Sequence, residues 1–464
     1  MLHGELFIQF EEYMGNRIEE TTSYYKRLLL LATPIIVQHL ITVGLNLVDN
    51  IMVGRLGALP LAAVGSANQV YSIYEMVLFG LFSGAAVPLA QYYGARDYKN
   101  IKRIVGMDIT MGLSLAILTL VMAQLFAPQI ISLFAEEQEV VRLGTQYIRI
   151  ASFTYLTVAV SFVISYNSRS VQIVKVPTII NICSILTNTL LNYILIYGNF
   201  GMPALGVRGA AIATLIARII ELAALVIYLC VDKEHPFHGK LSEFKGFSRD
   251  LFRRVMRTAM PVVISEGGWS LGVTLTFAAY GKISAEALAV MQVSNVLCVF
   301  CQCASFGLGN ASAALTGEML GQKQTALAYE NTKKYMKVQW ILTGIMTVMI
   351  LALRGPIALI YHFDEETTTM LMLALGVFAF TMIPRMIAYA VQCGILRAGG
   401  DTLFCMVVEL SCNLGIEVIL AYVSVLVFHL PLHLCIAVAA AGNLIKAIIE
   451  YRRYLSKKWI NVII

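Results

Sequence analysis

The sequence predicts an all-α integral membrane protein in which twelve transmembrane helices form two pseudo-symmetric six-helix lobes. Three observations carry that prediction: a composition too apolar for a soluble chain, an alternation of basic and acidic connections, and an internal repeat at a fixed offset. Of 464 residues, 58% are hydrophobic and 13% charged, and the mean hydropathy is +0.74. A soluble globule of this size needs more polar surface than that. Twelve apolar segments lie near 28–53, 61–90, 104–127, 145–168, 176–197, 207–231, 255–280, 287–317, 337–353, 368–395, 403–428 and 430–450, each long enough to span a bilayer with some tilt. About 26 of the 34 Lys and Arg fall in the N-terminus, the even-numbered connections and the C-terminus, and about six in the odd-numbered connections. By the positive-inside rule both termini are expected in the cytoplasm, on a multi-pass protein of the cell (plasma or inner) membrane. The net charge of +6 thus reads as topology rather than as a nucleic-acid surface. The first 25 residues are polar and mostly acidic, without the pattern of a signal peptide, so span 1 is expected to be retained.

Sliding the sequence by 227 positions aligns residues 26–94 with 253–321 without a gap. Pro34 meets Pro261, Gly54 meets Gly281, Asn68 meets Asn295, Gly80 meets Gly307 and Gly94 meets Gly321. Matches at Pro, Asn and Gly are not what shared hydrophobicity alone produces. A second echo sets "NSRSVQIVKVP" beside "GILRAGGDTLF". The division read from this is an N-lobe of spans 1–6 (1–231), a cytoplasmic linker (232–250) and a C-lobe of spans 7–12 (251–464). Six is an even number, so both halves enter from the same side and the repeat is parallel, about an axis along the membrane normal. Two such bundles enclose a cleft that opens to either side by rocking, which favours a transporter over an axial pore.

The spans differ in the polar groups they carry. Span 1 holds Asp49 in "NLVDNIMVG", with Asn46 one turn earlier on the same face. A charge at mid-membrane costs roughly 2.5–3.5 kcal/mol on insertion scales. Asp49 is either an interfacial capping group or an H⁺ or Na⁺ site, and the second reading is preferred because burial brings a carboxyl towards exchange of its proton. His39 and Glu266 occupy the same position, five residues after the prolines of spans 1 and 7, so the repeat sets two ionisable groups at one depth. A buried His is more often a packing residue, whereas a lone carboxylate is costly to keep without use. Span 5 carries Asn181, Ser184, Asn188 and Asn192. Span 11 carries Glu409, Asn413 and Glu417 at i, i+4 and i+8, one polar stripe on an otherwise apolar helix. Such stripes line a water-filled cavity or join helices by hydrogen bonds. Arg218 and Glu221 are spaced to pair on span 6, and Arg169, Arg397 and Asp401 mark cytoplasmic ends of spans 4 and 10. Glu75 and Arg385 have no partner that the pattern identifies.

Several chemistries are disfavoured. "GWSLG" at 268–272 matches a nucleophile elbow in letters, but it lies within a span rather than at a strand-to-helix turn. Cys298, Cys301 and Cys303 lack the second pair of a metal site and read as small apolar packing. No GxxxxGK[ST] loop is present, so hydrolysis of ATP by this chain is not expected. An enzyme is not expected, nor a cofactor beyond a coupling ion, and the nine cysteines are expected to be free thiols.

The stretches "ATPIIVQHLITVGLNLVDNIMVGRLG", "LAAVGSANQ", "GLFSGAAVPLAQYYGARD", "LGVRGAAIATLIAR" and "ILRAGGDT" strongly resemble the multidrug and toxic compound extrusion family, in order and over nearly the whole chain. "PVVISEGGWSLG" followed by "YG" resembles one bacterial subgroup of it. The resemblance implies a two-lobed exporter that exchanges organic cations or other drugs for H⁺ or Na⁺. It places Asp49 at the family's first-helix aspartate, a cation-coupling position and a candidate Na⁺ site, and Asn188 in the same N-lobe pocket. Asn192 falls where many members carry an aspartate. The span-10 aspartate of some sodium-coupled members has no match in "PRMIAYAVQCGILR", which leaves Glu266, with Glu417 or Glu409, as the C-half alternative. The expectation is therefore antiport of a small-molecule drug or organic cation by alternating access. Asp49 and Glu266 are the cation-coupling residues, and Asn46, His39, Asn188, Asn192, Glu409, Asn413 and Glu417 belong to the cavity. The expected partners are the substrate and the lipid bilayer, with no nucleic acid, and the chain is expected to be monomeric. A flippase for a lipid-linked precursor is the rival, expected to show a more basic cavity; an uncoupled channel is the second.

Overall fold

The computed structural model describes the backbone of residues 2–361 and 363–464 and the side chains of 22–359 and 363–464. The described residues form helices and their connections, with no strand. The first half comprises α1 (Leu2–Gly54), α2 (Ala58–Gly94), α3 (Tyr98–Leu125), the short α4 (Ala127–Ser132), α5 (Gln138–Ala151), α6 (Thr154–Ser170), α7 (Lys175–Tyr197) and α8 (Val207–Val231). The second comprises α9 (Arg249–Tyr280), α10 (Ala285–Gly321), α11 (Thr325–Tyr361), α12 (Glu365–Val391), α13 (Thr402–Glu409), α14 (Val418–Leu426), α15 (Leu432–Ala439) and α16 (Ala441–Leu455). Eleven of the described helical stretches are long and apolar enough to cross a bilayer, and the bent pair α5–α6 makes twelve. Helix starts outside the apolar runs are fixed by side-chain caps. Asp97 accepts from Asn100 N at 3.1 Å, Ser248 from Leu251 N at 3.1 Å and Ser284 from Ala287 N at 3.0 Å.

Three of the expected spans contain a sharp bend or a π-turn that their hydropathy does not suggest. The segment read as one helix over 145–168 is two, α5 and α6, bent by 50°. No proline causes the bend. Gln124 from α3 donates to Arg149 O at 2.7 Å and to Ser152 Oγ at 2.9 Å, and Thr154 Oγ1 donates to Ala151 O at 2.6 Å. Side chains that capture carbonyls in this way divert the ladder of the helix. The other two irregularities are π-turns, at Gln392–Leu396 after α12 and Leu410–Glu417 between α13 and α14. Such turns often sit at functional positions, and both of these present residues of the candidate site.

The repeat is visible in the way the halves approach. Gly80 on α2 faces the backbone of Val263 on α9, and its counterpart Gly307 on α10 faces Ile36 on α1. At the ends of the same helices, Gly94 meets Glu318 O and Gly321 meets Gln91 O. The partners are themselves 227 positions apart, so the contact is made twice by one pseudo-two-fold axis. A Cβ at Gly94 would lie 2.0 Å from that carbonyl oxygen, and one at Gly321 1.9 Å from its own. Only glycine permits this proximity. Around it, Tyr24, Leu28 and Leu31 of α1 share a buried cluster with Leu308 and Leu315 of α10 and Tyr335 of α11. The two halves are thus fused at one end by apolar packing as well as by backbone contact.

Candidate functional site

A cavity of about 620 Å³ lies between the halves, reached by α1, α2, α6, α7 and α8 from one side and α9, α10, α12, α13 and α16 from the other. Its floor is aromatic. Phe306 lies edge-on to His39 at 4.3 Å and 6.0 Å from Phe79, which in turn meets Tyr166 at 5.7 Å. Arg169 sits over the Tyr166 ring at 5.3 Å, a cation–π contact. Beyond the floor, hydrogen bonds join the halves. Arg27 donates to Glu318 at 2.6 Å and to Gln172 at 2.9 Å, Gln172 donates to Glu318 at 2.8 Å, and Gln91 exchanges bonds with Asn461 O and Ile463 N. The floor and this network close the end of the bundle that carries the basic connections.

Charges in the cavity wall are mostly paired. Arg218 donates to Glu221 at 2.7 Å, and Glu221 also accepts from Asn181 at 3.0 Å. Glu266 accepts from Arg397 at 2.7 Å and Glu409 from Lys446 at 2.5 Å. Glu75, Arg169 and Arg385 complete the set, giving five cations and four carboxylates. His39 lines the cavity with Glu266, as their equivalent positions in the repeat suggest.

Asp49 lies outside this lining, in a pocket of its own between α1 and α7. Its Oδ1 accepts from Asn192 Nδ2 at 3.0 Å and from Thr189 Oγ1 at 3.3 Å. In the amide orientation that satisfies its neighbours, Asn188 donates to Asp49 Oδ2 at 2.9 Å and accepts from Thr214 N at 3.1 Å. Among the described residues no Lys or Arg pairs with Asp49. Asn192 Oδ1 is buried and has no hydrogen-bond partner there. A carboxylate beside a spare amide oxygen and a hydroxyl is an oxygen donor set of the kind a hard cation takes, and it equally suits a protonated carboxyl. Asn46, one turn earlier, is exposed and lines neither this pocket nor the main cavity.

The C-half places its candidates differently from the expectation of solitary carboxylates. Glu266 and Glu409 each carry a cation, because Arg397 follows the first π-turn and Lys446 projects from α16. Asn413 donates to Glu409 at 3.4 Å and packs against Gly272, while Glu417 accepts from Asn443 at 3.0 Å. Glu409, Asn413 and Glu417 therefore do share a face, one that meets α9 and α16. Sequence reasoning missed Lys446 and the role of Arg397, although a lysine inside an apolar span is as conspicuous as a carboxylate. It also missed Asp108 and Glu450, both 0% exposed; Asp108 accepts from Asn167 at 2.7 Å. All nine cysteines are free.

Comparison with known proteins gives the same picture. The MatE family model matches residues 34–194 and 261–423, two stretches that begin at the repeat-equivalent prolines. The probable multidrug resistance protein YoeA of Bacillus subtilis is 24% identical over 424 residues, covering 89% of each chain. The probable multidrug resistance protein NorM of Thermotoga maritima is 24% identical over 461 residues, 97% of this chain and 96% of its own. An outward-facing multidrug resistance MATE transporter of the MOP superfamily superposes with a TM-score of 0.85 at 19% identity, covering 94% of this chain and 97% of its own. A MOP-superfamily transporter from Pyrococcus furiosus, described as having a binding pocket of reversed polarity, gives a TM-score of 0.84 at 19% identity with the same coverage. With a family model spanning both halves and a twelve-helix fold in common, the chain belongs to the MatE family of membrane transporters.

Proposed function

We propose that the protein is a secondary active exporter of drugs or organic cations, an antiporter driven by H⁺ or Na⁺ through alternating access. The observation that carries this reading is the separation of two sites. A large cavity lies between pseudo-symmetric halves fused at one end, and a carboxylate held by neutral donors, Asp49, lies apart from it in the N-half. In this reading the fused, basic end faces the cytoplasm, with both termini, and the conformation is open outward. Protonation of Asp49, or Na⁺ bound by Asp49, Asn192 Oδ1 and Thr189, neutralises the pocket and repacks α1 against α7. Gln38 and Thr42 of the cavity wall lie on the same face of α1 as Asp49, nearer the cavity, so the same movement changes the wall and the substrate loses its fit. A potential of 100 mV contributes about 2.3 kcal/mol per charge moved, which makes one or two ions per cycle sufficient for moderate accumulation. No enzymatic step is involved.

Uptake of a fluorescent cationic dye into everted vesicles, driven separately by a pH and a Na⁺ gradient, tests the reading. One gradient drives uptake in the native chain and Asp49→Asn abolishes it; uptake unchanged in Asp49→Asn refutes the role of Asp49. One observation favours a second reading, flipping of an anionic lipid-linked precursor: the cavity wall holds one more cation than carboxylate. Absence of gradient-driven uptake for several dyes, with transfer of a lipid pyrophosphate across reconstituted vesicles, would establish it instead.

A further inference from the structure

Glu450 on α16 takes no part in the account above. Its side chain is fully buried, and neither carboxylate oxygen has a hydrogen-bond partner among the described residues. A charged carboxylate in that state carries its full desolvation cost. Four residues earlier, on the same face of the helix, Lys446 donates to Glu409 Oε2 at 2.5 Å. Glu409 and Lys446 line the cavity and Glu450 does not, so the three groups run from the cavity wall inward. The other titratable groups facing Glu450 are Arg397, Cys405 and Cys412. Arg397 is engaged by Glu266 at 2.7 Å, and the thiols are neutral. Two carboxyls and one ammonium make a neutral buried group only when one carboxyl keeps its proton. Glu409 holds the ammonium, so the proton belongs to Glu450.

We propose that Glu450 is a proton-binding site and that Lys446 exchanges between Glu409 and Glu450, so that a cation entering the cavity at Glu409 expels the Glu450 proton. Before binding, Glu409 and Lys446 are paired and Glu450 is neutral. A monovalent organic cation takes the place of the ammonium at Glu409. Lys446 swings one turn along its own helix, the O–H bond of Glu450 breaks, and the proton leaves to solvent. Each carboxylate ends with one cation, and one positive charge has been exchanged for another. The inference rests on the cavity being where the transported cation binds, and it is independent of Asp49.

The test uses the full chain in detergent, weakly buffered with a pH indicator and titrated with ethidium, whose binding is followed by fluorescence anisotropy. Linkage predicts that about one proton is released per ethidium bound and that affinity rises about tenfold per pH unit while Glu450 is protonated. Glu450→Gln abolishes the release and flattens the pH dependence, Glu450→Asp retains both, and Asp49→Asn leaves the C-half release in place. Glu450→Met, apolar and of similar size, serves as the second variant where the buried amide prevents folding, and is read in the same way. Release that survives in Glu450→Gln but vanishes in Asp49→Asn overturns the inference and leaves the Asp49 reading standing. Ethidium that fails to bind the native chain sinks the cation-cavity reading instead, and the infrared spectrum then decides Glu450. A protonated-carboxyl stretching band that disappears in Glu450→Gln supports the site, and identical spectra overturn it.

Discussion

Asp49 and Glu266, both candidates for the same task, are held in opposite ways, and the difference fixes what their replacement does. Asp49 is surrounded by neutral donors, so Asp49→Asn removes a charge and sets an amide of the same shape among Asn188, Thr189 and Asn192. Stability should change by less than about 1 kcal/mol, while gradient-driven dye uptake falls to background; a large drop in melting temperature would show that the carboxylate is structural. Glu266→Gln leaves the Arg397 guanidinium, whose side chain is 6% exposed, without its counter-charge. Breaking a buried pair in this way costs about 3–5 kcal/mol, so the melting temperature falls together with transport. Glu266→Gln with Arg397→Met recovers part of that stability, and a double variant no more stable than the single one would refute the pairing. The carboxylates were legible in the sequence because a charge in an apolar run is conspicuous by itself. Their partners were not, because Glu266 and Arg397 are 131 residues apart and Glu409 and Lys446 are 37 apart. No local periodicity relates such pairs. Glu450 was hidden for another reason: it lies near the end of an apolar segment among Arg452 and Arg453, where a carboxylate reads as solvated.

Helices and connections respond to their surroundings in ways the hydropathy pattern does not record. The bend between α5 and α6 follows carbonyls captured by side chains of α3 and α6, and the two π-turns interrupt spans that read as continuous in hydropathy, so only the spans themselves, not their breaks, could be read in advance. The linker between the halves is a similar case. It reads as a polar, solvated stretch, yet His235 is buried against the N-half. Its Nδ1 accepts from Phe237 N at 3.1 Å, its Nε2 lies 3.5 Å from Ser168 Oγ, and its ring meets Phe237 at 4.7 Å. Burial lowers its pKa from 6.5 to about 4, opposed by the nearby Asp232 carboxylate and reinforced by His238. The docked state therefore binds fewer protons than the undocked one between these values. Docking is at full strength above pH 6.5 and weakens progressively as pH falls towards about 4. The loss amounts to at most about 3 kcal/mol. Amide exchange across 232–248 should accelerate on acidification in the native chain, and His235→Gln should flatten that dependence. Exchange that is equally slow at both pH values would show that the linker is held by Phe237 and its neighbours alone.

For the molecule as a whole, the repeat supplies both the axis and the barrier to motion. Helices α1 and α2 meet α10 and α9 through the same contact made twice, and glycines let the backbones touch where the halves are fused. Gly80, Gly94, Gly307 and Gly321, which helped to reveal the repeat in the sequence, are thus residues that its interface requires. Hydrophobic positions drifted freely because any apolar side chain faces lipid acceptably. Alternating access needs this fused end to separate. Close backbone contact favours one of two states of a bistable interface, and a methyl group at the contact disfavours that state alone. Gly94→Ala would set a Cβ 2.0 Å from Glu318 O, and Gly321→Ala one 1.9 Å from Gln91 O. Either substitution should shift the protein towards the conformation open at that end, and the pseudo-symmetry requires the two to act alike. Cys393 reports the change, since it lines both the main cavity and a smaller one of about 60 Å³ beneath the aromatic floor. In a chain keeping Cys393 as its sole thiol, a membrane-impermeant maleimide should label it from the outer side. Gly94→Ala and Gly321→Ala should both transfer that reactivity to the cytoplasmic side. If one glycine shifts the labelling and the other does not, the halves do not move about their common axis, and rocking of two equivalent lobes is the wrong description of the transport motion.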